Sequence, residues 1–156
     1  MLIMPIIICC AAVSEHCDED FFADKFNWGS APGANIQVLQ KNKQLDTEIL
    51  LCTDKKADKK IFDLNFDSIY YRYVNNRLRA VSYSKKNISQ DVYNNLKSKF
   101  TERFGTPLSR ESQFTDTYES RWTAAGNSIA LEYFPEDYDE NEFSEISLSV
   151  TEAVAK

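Results

Sequence analysis

The residue types that most often carry catalysis are scarce in this chain of 156 residues, which contains a single histidine, His16. General acid–base chemistry and the activation of serine or cysteine nucleophiles usually depend on histidine. His16 lies in an acidic segment beside an expected cleavage site, so neither a catalytic triad nor a His/Cys zinc site is expected. The chain is rich in Asp and Glu instead, but most of them fall in charge runs that are typical of a solvated surface. We therefore expect a protein that is not an enzyme and uses no metal or cofactor, with a carboxylate-dependent hydrolase as the alternative.

The acidic stretch PEDYDENEFSEI matches part of a calcium-binding loop. Asp137, Asp139 and Asn141 occupy the first, third and fifth positions of that pattern. Glu142 replaces the glycine of the sixth position, and the twelfth lacks the bidentate glutamate. Because the mismatches fall where the loop turns and closes, an acidic hairpin loop is the better interpretation. Asp137, Asp139 and Glu140 then form an acidic patch that a partner could contact.

A second group of candidate contact residues lies in SIYYRYV-NN-RLRAVSYS, where the Asn-Asn pair is typical of a tight hairpin turn. Alternation along the first strand places Tyr71 and Tyr73 on one face and Tyr70 and Arg72 on the other. Tyrosine and arginine are enriched where protein interfaces carry most of their binding energy. We therefore predict Tyr71, Tyr73, Arg72 and Arg77 as partner-binding residues. The alternative is ordinary cross-strand packing of aromatic side chains.

The elements that must position these residues follow one order twice, a helix and then three strands. Ser30 or Asn35 is expected to cap a first helix with Ile36, Leu39 and Lys43 on its inner side. TEILLCT is expected to form a buried strand, and the tyrosine-rich hairpin supplies the other strands of this first half.

The second half has a clearer helix signal. Ser89 is expected to cap this helix, Gly105 to end it, and Pro107 to prevent its continuation. Its apolar stripe is Val92, Leu96, Phe100 and Phe104. Three alternating segments follow, YESRWTA, SIALEYF and EISLSVT. The prediction is an α+β fold with two helices packed on a curved antiparallel sheet, in which the repeated order suggests a duplicated helix-plus-three-strand unit. Trp28 and Trp122 are expected to anchor the core rather than to bind a ligand.

The N-terminus, MLIMPIIICCAAVSEHCDED, has an apolar run that is too short to span a bilayer and is typical of a signal peptide. We expect residues 1–14 to be that signal, 15–25 a flexible acidic tail, and 26–156 one domain. Simple export is preferred to a lipid anchor at Cys9 or Cys10, because Ile8 does not suit a lipidation motif. Export would leave Cys17 and Cys52, which we predict to form a disulfide. A buried thiol at Cys52 is the alternative.

The charge distribution constrains the partner. The net charge of −6 argues against nucleic acid. Residues 53–110 carry 13 Lys/Arg and 6 Asp/Glu, whereas residues 111–156 carry 2 and 11. These segments either neutralise each other in the fold or form a two-faced surface that docks a charged protein.

Four motifs occur in order along the chain: FNWGS, YYRYVNNRLRAVSY, the helix ending FGTP, and SRWTAAGNSIALEY. Over about residues 26–150 this order resembles that of small, uncharacterised bacterial envelope proteins, secreted or lipoprotein-like. It implies export to the periplasm or beyond and no particular activity. We expect a non-catalytic protein-binding module of the envelope, an inhibitor, immunity or assembly factor, whose mature domain does not insert into the membrane. The alternative is a hydrolase that acts on an envelope substrate.

Overall fold

One large antiparallel sheet dominates the fold. The structure, a computed structural model, describes residues 22, 25–44, 46–111, 117–124, 126–136 and 143–152. Within these residues the elements are β1 (Gln37–Gln44), β2 (Thr47–Thr53), β3 (Lys60–Ile61), β4 (Leu64–Asn65), β5 (Ser68–Val74), β6 (Arg77–Lys86), α1 (Gln90–Phe104), β7 (Leu108–Glu111), β8 (Tyr118–Ala124), β9 (Asn127–Phe134) and β10 (Glu145–Glu152). Eight strands form the main sheet in the order β1-β2-β5-β6-β10-β9-β8-β7, and β3 pairs with β4 apart from it.

The sheet consists of two four-stranded halves that follow each other in the chain. β1, β2, β5 and β6 form the first half, and β7 to β10 form the second. The halves meet where β6 and β10 pair antiparallel, with Val81 opposite Val150. α1 carries the chain from the middle of the sheet to the edge strand β7, and it packs on β8 and β9.

The prediction of two helices is wrong, and the helix-plus-three-strand unit is not repeated. The segment expected to form the first helix contains β1, which pairs with β2 and continues the sheet. All eight residues of β1 are exposed, so this segment has no buried stripe that could stabilise a helix by packing. Strand pairing satisfies its backbone instead, and a register shift between Val38 and Gln40 marks an edge bulge. The described residues thus form a mostly antiparallel sheet with one helix.

The expected hairpin between β5 and β6 is confirmed. Asn75 and Asn76 form its turn with φ angles of 48° and 61°, the left-handed conformation that a tight hairpin requires. The Asn75 side chain also accepts a hydrogen bond of 2.9 Å from the backbone N–H of Glu48, which ties the turn to β2.

The predicted second helix is α1, and its boundaries agree with the sequence signals. Ser89 holds the N-cap position, but its side chain makes no capping hydrogen bond. Gly105, at φ 82°, ends the helix and donates its N–H to the Thr101 carbonyl. Leu96 and Phe100 of the predicted stripe are buried, and Val92 and Phe104 are half-buried against the core. Tyr93, which the stripe did not include, is also buried, and its hydroxyl lies 2.9 Å from that of Ser120 on β8.

The described residues before β1, Phe22 and 25–36, form what we call the N-terminal segment. It places Phe26 and Trp28 of the FNWGS motif against the core. The ring of Phe26 is buried and makes an edge contact with Trp28, with 5.3 Å between ring centroids. Next to them, Gly29 donates its N–H to the Leu78 carbonyl, and Leu78 donates back to Ser30. In the second half, buried Trp122 donates its indole N–H to the carbonyl of the helix-ending glycine over 3.0 Å. Trp122 is thus buried in the core, and Trp28 is half-buried against it, with no described hydrogen-bond partner for its indole N–H.

Candidate functional site

The tyrosines of strand β5 lie on opposite faces of the sheet, Tyr71 and Tyr73 on one and Tyr70 on the other, as alternation predicted. Tyr71 lies opposite Cys52 of β2, and Tyr73 lies opposite Leu50, and both partners are buried in the core. We call this the covered face. Tyr70 and Arg72 lie on the other face, which we call the open face.

Of the two predicted contact tyrosines on the covered face, Tyr73 is buried in the core, and Tyr71 packs against the core but keeps accessible surface. Tyr73 is only 3% exposed, and burial raises the pKa of its hydroxyl. Tyr71 is half-buried, and burial followed by the nearby charge of Asp54 raises its pKa to about 12. These rings follow the alternative interpretation, cross-strand packing on a sheet. Neither ring is presented on the open face.

The two predicted arginines lie on the open face. Arg72 is exposed and pairs across strands with Leu51 on one side and Ala80 on the other. Arg77 is exposed beside the hairpin turn, opposite Val74. Among the described residues, no carboxylate forms an ion pair with either guanidinium. The predicted acidic contacts Asp137, Asp139 and Glu140 lie outside the described residues.

Apolar and aromatic side chains surround these arginines on the open face. Strand pairing places Ile49 beside Val74, Leu51 beside Arg72, and Tyr70 on the adjacent pair. Each of these side chains retains accessible surface. We define the open-face patch as Ile49, Leu51, Tyr70, Arg72, Val74 and Arg77.

A shallow groove of about 210 Å³ runs beside the patch. One side is formed by patch residues, and the other by short side chains of β6 and β10. Ser84 of β6 and Ser147 of β10 continue this row of short side chains on the same face. The groove is lined by Leu51, Tyr70, Arg72, Ala80, Ser82, Ser149 and Thr151.

The open face of the second half carries both acidic and basic side chains: Glu119 and Glu132, with Arg110 and Arg121 beside them. Glu132 of β9 lies directly opposite Glu119 of β8, a like-charge cross-strand pair. Burial, and to a smaller extent the charge of Glu119, raise the pKa of Glu132. Glu119 itself forms an ion pair with Arg121. The two halves of the sheet therefore present different chemistry on the same face: arginine and apolar side chains on β2 and β5, and mixed carboxylates and arginines on β7, β8 and β9.

Sequence reasoning missed the apolar part of the patch for an identifiable reason. TEILLCT was taken as a buried strand, yet Ile49, Leu50 and Leu51 are adjacent apolar residues that must point to both faces. A strand with apolar residues at both parities needs cover on both sides or presents one side to a partner. That signal was available from the sequence.

The thiol of Cys52 is fully buried on the covered face, and burial raises its pKa. It is a free thiol within the described residues, and Cys17 lies outside them. The disulfide between the two cysteines therefore stays a prediction.

We expect the exported protein, after loss of residues 1–14, to show no reactive thiol when it is denatured and alkylated without reductant. Two thiols should appear after reduction, because one disulfide would protect both cysteines. Cys17→Ser is the matched control, and it should show one thiol that reacts only after denaturation, since Cys52 is buried. Mass spectrometry of the alkylated protein counts the labels. Two labels without reductant would contradict the disulfide.

No family model, curated protein or solved structure matches the chain, so this site has no counterpart to be compared with. In the described ranges, no cluster of three or more His, Cys, Asp or Glu side chains is placed to hold a metal ion. The described part of the chain also contains no helix with the length and apolar composition needed to cross a bilayer.

Proposed function

We propose that this protein is a non-catalytic binding module of the bacterial envelope that recognises another protein through the open-face patch. The observation that carries the proposal is the combination of an exposed Arg72, which has no ion-pair partner among the described residues, with apolar and aromatic neighbours on an accessible sheet face. Interface centres are rich in aromatic residues and arginine, and a partly desolvated arginine next to apolar surface is a typical energetic anchor.

The charges of the patch define the partner's chemistry. Arg72 and Arg77 are both cationic, and the described residues supply no carboxylate to neutralise them. A partner that places Asp or Glu side chains beside an apolar ridge would pair with the arginines and fill the groove. An inhibitor, immunity or assembly factor of the periplasm would use such a surface, and export of this chain to that compartment is part of the proposal.

The matched pair of variants for testing the proposal is Leu51→Ala/Arg72→Ala and Leu108→Ala/Arg110→Ala. Both remove one leucine and one arginine from the open face, but the second pair lies on β7, at the opposite edge of the sheet. Wild type and both variants, checked for folding by circular dichroism, are used to capture partners from envelope extract. We expect only the first variant to lose a partner that wild type captures, and the loss at an arginine anchor should reach about 2 kcal/mol, roughly thirtyfold in Kd.

Capture of the same partners with equal affinity by both folded variants would refute the role of the patch. Equal loss in both variants would place the contact elsewhere on the open face and would also contradict the proposal as stated. Charge reversal in Arg72→Glu provides an independent check, because it leaves Leu51 in place and should repel an acidic partner.

The alternative function, a carboxylate-dependent hydrolase, has one observation in its favour, the Glu119–Glu132 pair. A carboxyl group with a raised pKa beside a second carboxylate is an arrangement that acid–base catalysis can use. Glu132 has the raised pKa and Glu119 is held by Arg121. Neither carboxylate lines the groove of the open face, which is why binding is the preferred function. Turnover of a cell-wall polymer by wild type but not by Glu132→Gln would favour the hydrolase.

A further inference from the structure

A second concave site lies on the other side of the molecule, between α1 and the β3–β4 hairpin. It encloses about 310 Å³, which is the lower end of the range for small-molecule pockets. Its floor is apolar and its rim is polar. The floor residues are Phe62, Leu64, Val92 and Leu96, and the rim residues are Asp63, Asp91, Asn95 and Lys99. We call this the helix–hairpin cleft.

Phe62, whose ring forms the aromatic wall of the cleft, has an unusual backbone conformation. Phe62 occupies the turn of the β3–β4 hairpin with φ 50°. Every other non-glycine residue with positive φ in the described part of the chain is an asparagine, the type that tolerates it best. A bulky residue in this region costs on the order of 1–3 kcal/mol, and such strain is concentrated at ligand-binding sites.

The Phe62 ring is also fixed in place by the core. It makes an edge contact with Phe100 of α1, with 5.1 Å between ring centroids. Phe62 nevertheless keeps accessible surface, and that surface forms part of the cleft. A ligand would therefore meet a positioned aromatic face rather than a mobile side chain.

The rim of the cleft favours a positive ligand. The ammonium of Lys99 forms an ion pair with Asp63, and this hydrogen bond lowers the pKa of the Asp63 carboxyl. No described basic group pairs with Asp91, which is exposed in the first turn of α1. One unpaired carboxylate beside an aromatic wall therefore makes the cleft complementary to a cation with an apolar body.

We propose that the helix–hairpin cleft binds a small amphiphilic amine, an alkyl or aryl group that carries one ammonium. The apolar body lies on Leu64, Val92 and Leu96, and the ammonium lies near Asp91, where it can also approach the face of Phe62. An anionic ligand fits less well, because it would have to displace Asp63 from Lys99. This site is separate from the open-face patch and does not depend on it.

A series of three probes with one carbon skeleton tests the charge requirement. 4-Phenylbutylamine, 4-phenylbutanol and 4-phenylbutyrate differ only in the terminal group, which is cationic, neutral and anionic respectively. Each is titrated into the isotopically labelled protein and followed by two-dimensional NMR. We expect saturable binding of the amine with a Kd of about 1 mM or tighter, with shifted backbone signals at Asp91, Asn95 and Lys99. The alcohol should bind at least about tenfold more weakly, and the butyrate more weakly still.

Two substitutions locate the site and its charge. Asp91→Asn should weaken binding of the amine at least about tenfold, while Glu102→Gln, an equal charge change at an exposed position of α1 outside the cleft, should leave it unchanged. Phe62→Asn removes the aromatic wall and places in the turn a residue that accepts positive φ, so it should lose binding while the protein stays folded.

The outcomes separate clearly. No saturable binding of the amine, or equal binding of amine and alcohol, would overturn the proposal. Shifts confined to residues outside α1 and the β3–β4 hairpin would overturn it as well. The same loss in Glu102→Gln as in Asp91→Asn would show that the effect is the net charge of the helix and not the cleft.

Discussion

Replacement of Phe100 by alanine is expected to destabilise the protein by about 3–5 kcal/mol, a large part of the free energy of unfolding of an ordinary domain. Phe100 is fully buried, and its ring contacts four aromatic neighbours: Phe62, Trp122, Phe104 and Phe22, at centroid distances of 5.1, 5.3, 5.8 and 6.2 Å. These neighbours belong to the β3–β4 hairpin, β8, α1 and the N-terminal segment. Loss of this one ring leaves a cavity where the helix, hairpin, sheet and N-terminal segment meet.

Urea unfolding followed by circular dichroism measures the effect. Leu108→Ala is the control, since Leu108 is 62% exposed and its truncation should change stability by no more than about 0.5 kcal/mol. If the alanine variant is too unstable to purify, Phe100→Leu keeps most of the volume and should cost about 1–2 kcal/mol. A loss at Phe100 no larger than that at Leu108 would contradict the position of this ring at the centre of the core.

α1 was predictable because its signals are local. Four apolar residues spaced by four, a serine before them and a glycine after them all fall within seventeen residues of sequence. Tyr93 is the part that local reasoning missed. Its burial depends on Ser120 of β8, which the chain brings beside the helix only after folding.

The first helix was predicted from a weaker pattern of the same kind. Ile36, Leu39 and the stem of Lys43 have helical spacing, but none of the positions in β1 is buried. Two apolar residues do not distinguish a helix from an edge strand, because the strand is stabilised by the backbone of β2 rather than by its own side chains. The residues of β1 alone therefore do not show that it will pair with β2.

The candidate site shows the same division between local and non-local information. Alternation within β5 correctly separated Tyr70 and Arg72 from Tyr71 and Tyr73. Alternation does not say which of the two faces is covered. That depends on where the N-terminal segment and α1 pack, so the two tyrosines of the covered face were assigned to a partner and Tyr70 was left out.

The N-terminal segment covers part of the core on which the predicted first helix was expected to pack. Phe26 is 5% exposed and lies over the first half of the sheet, with its ring centroid 6.4 Å from that of Tyr83 on β6. It also stacks on Phe22 at 5.9 Å. Two backbone hydrogen bonds, from Gly29 to Leu78 and from Leu78 to Ser30, fasten the segment to the start of the same strand. The core of the first half is thus covered in part by the irregular N-terminal segment with its packed aromatic rings, and not by a helix.

Phe26→Ala is therefore expected to destabilise the protein by about 3 kcal/mol, near the lower end of the range for a buried phenylalanine because the segment can relax into the space. Asn27→Ala is the matched control, since the neighbouring side chain is exposed and should cost no more than about 0.5 kcal/mol. Hydrogen exchange provides the local readout. If Phe26 holds the cover over the first half, amides of β5 and β6 should lose protection through a local opening, while those of β8 and β9, under α1, should lose less. Equal stability of the two variants, or an equal loss of protection in both halves of the sheet, would show that the segment is not a separate cover on the first half.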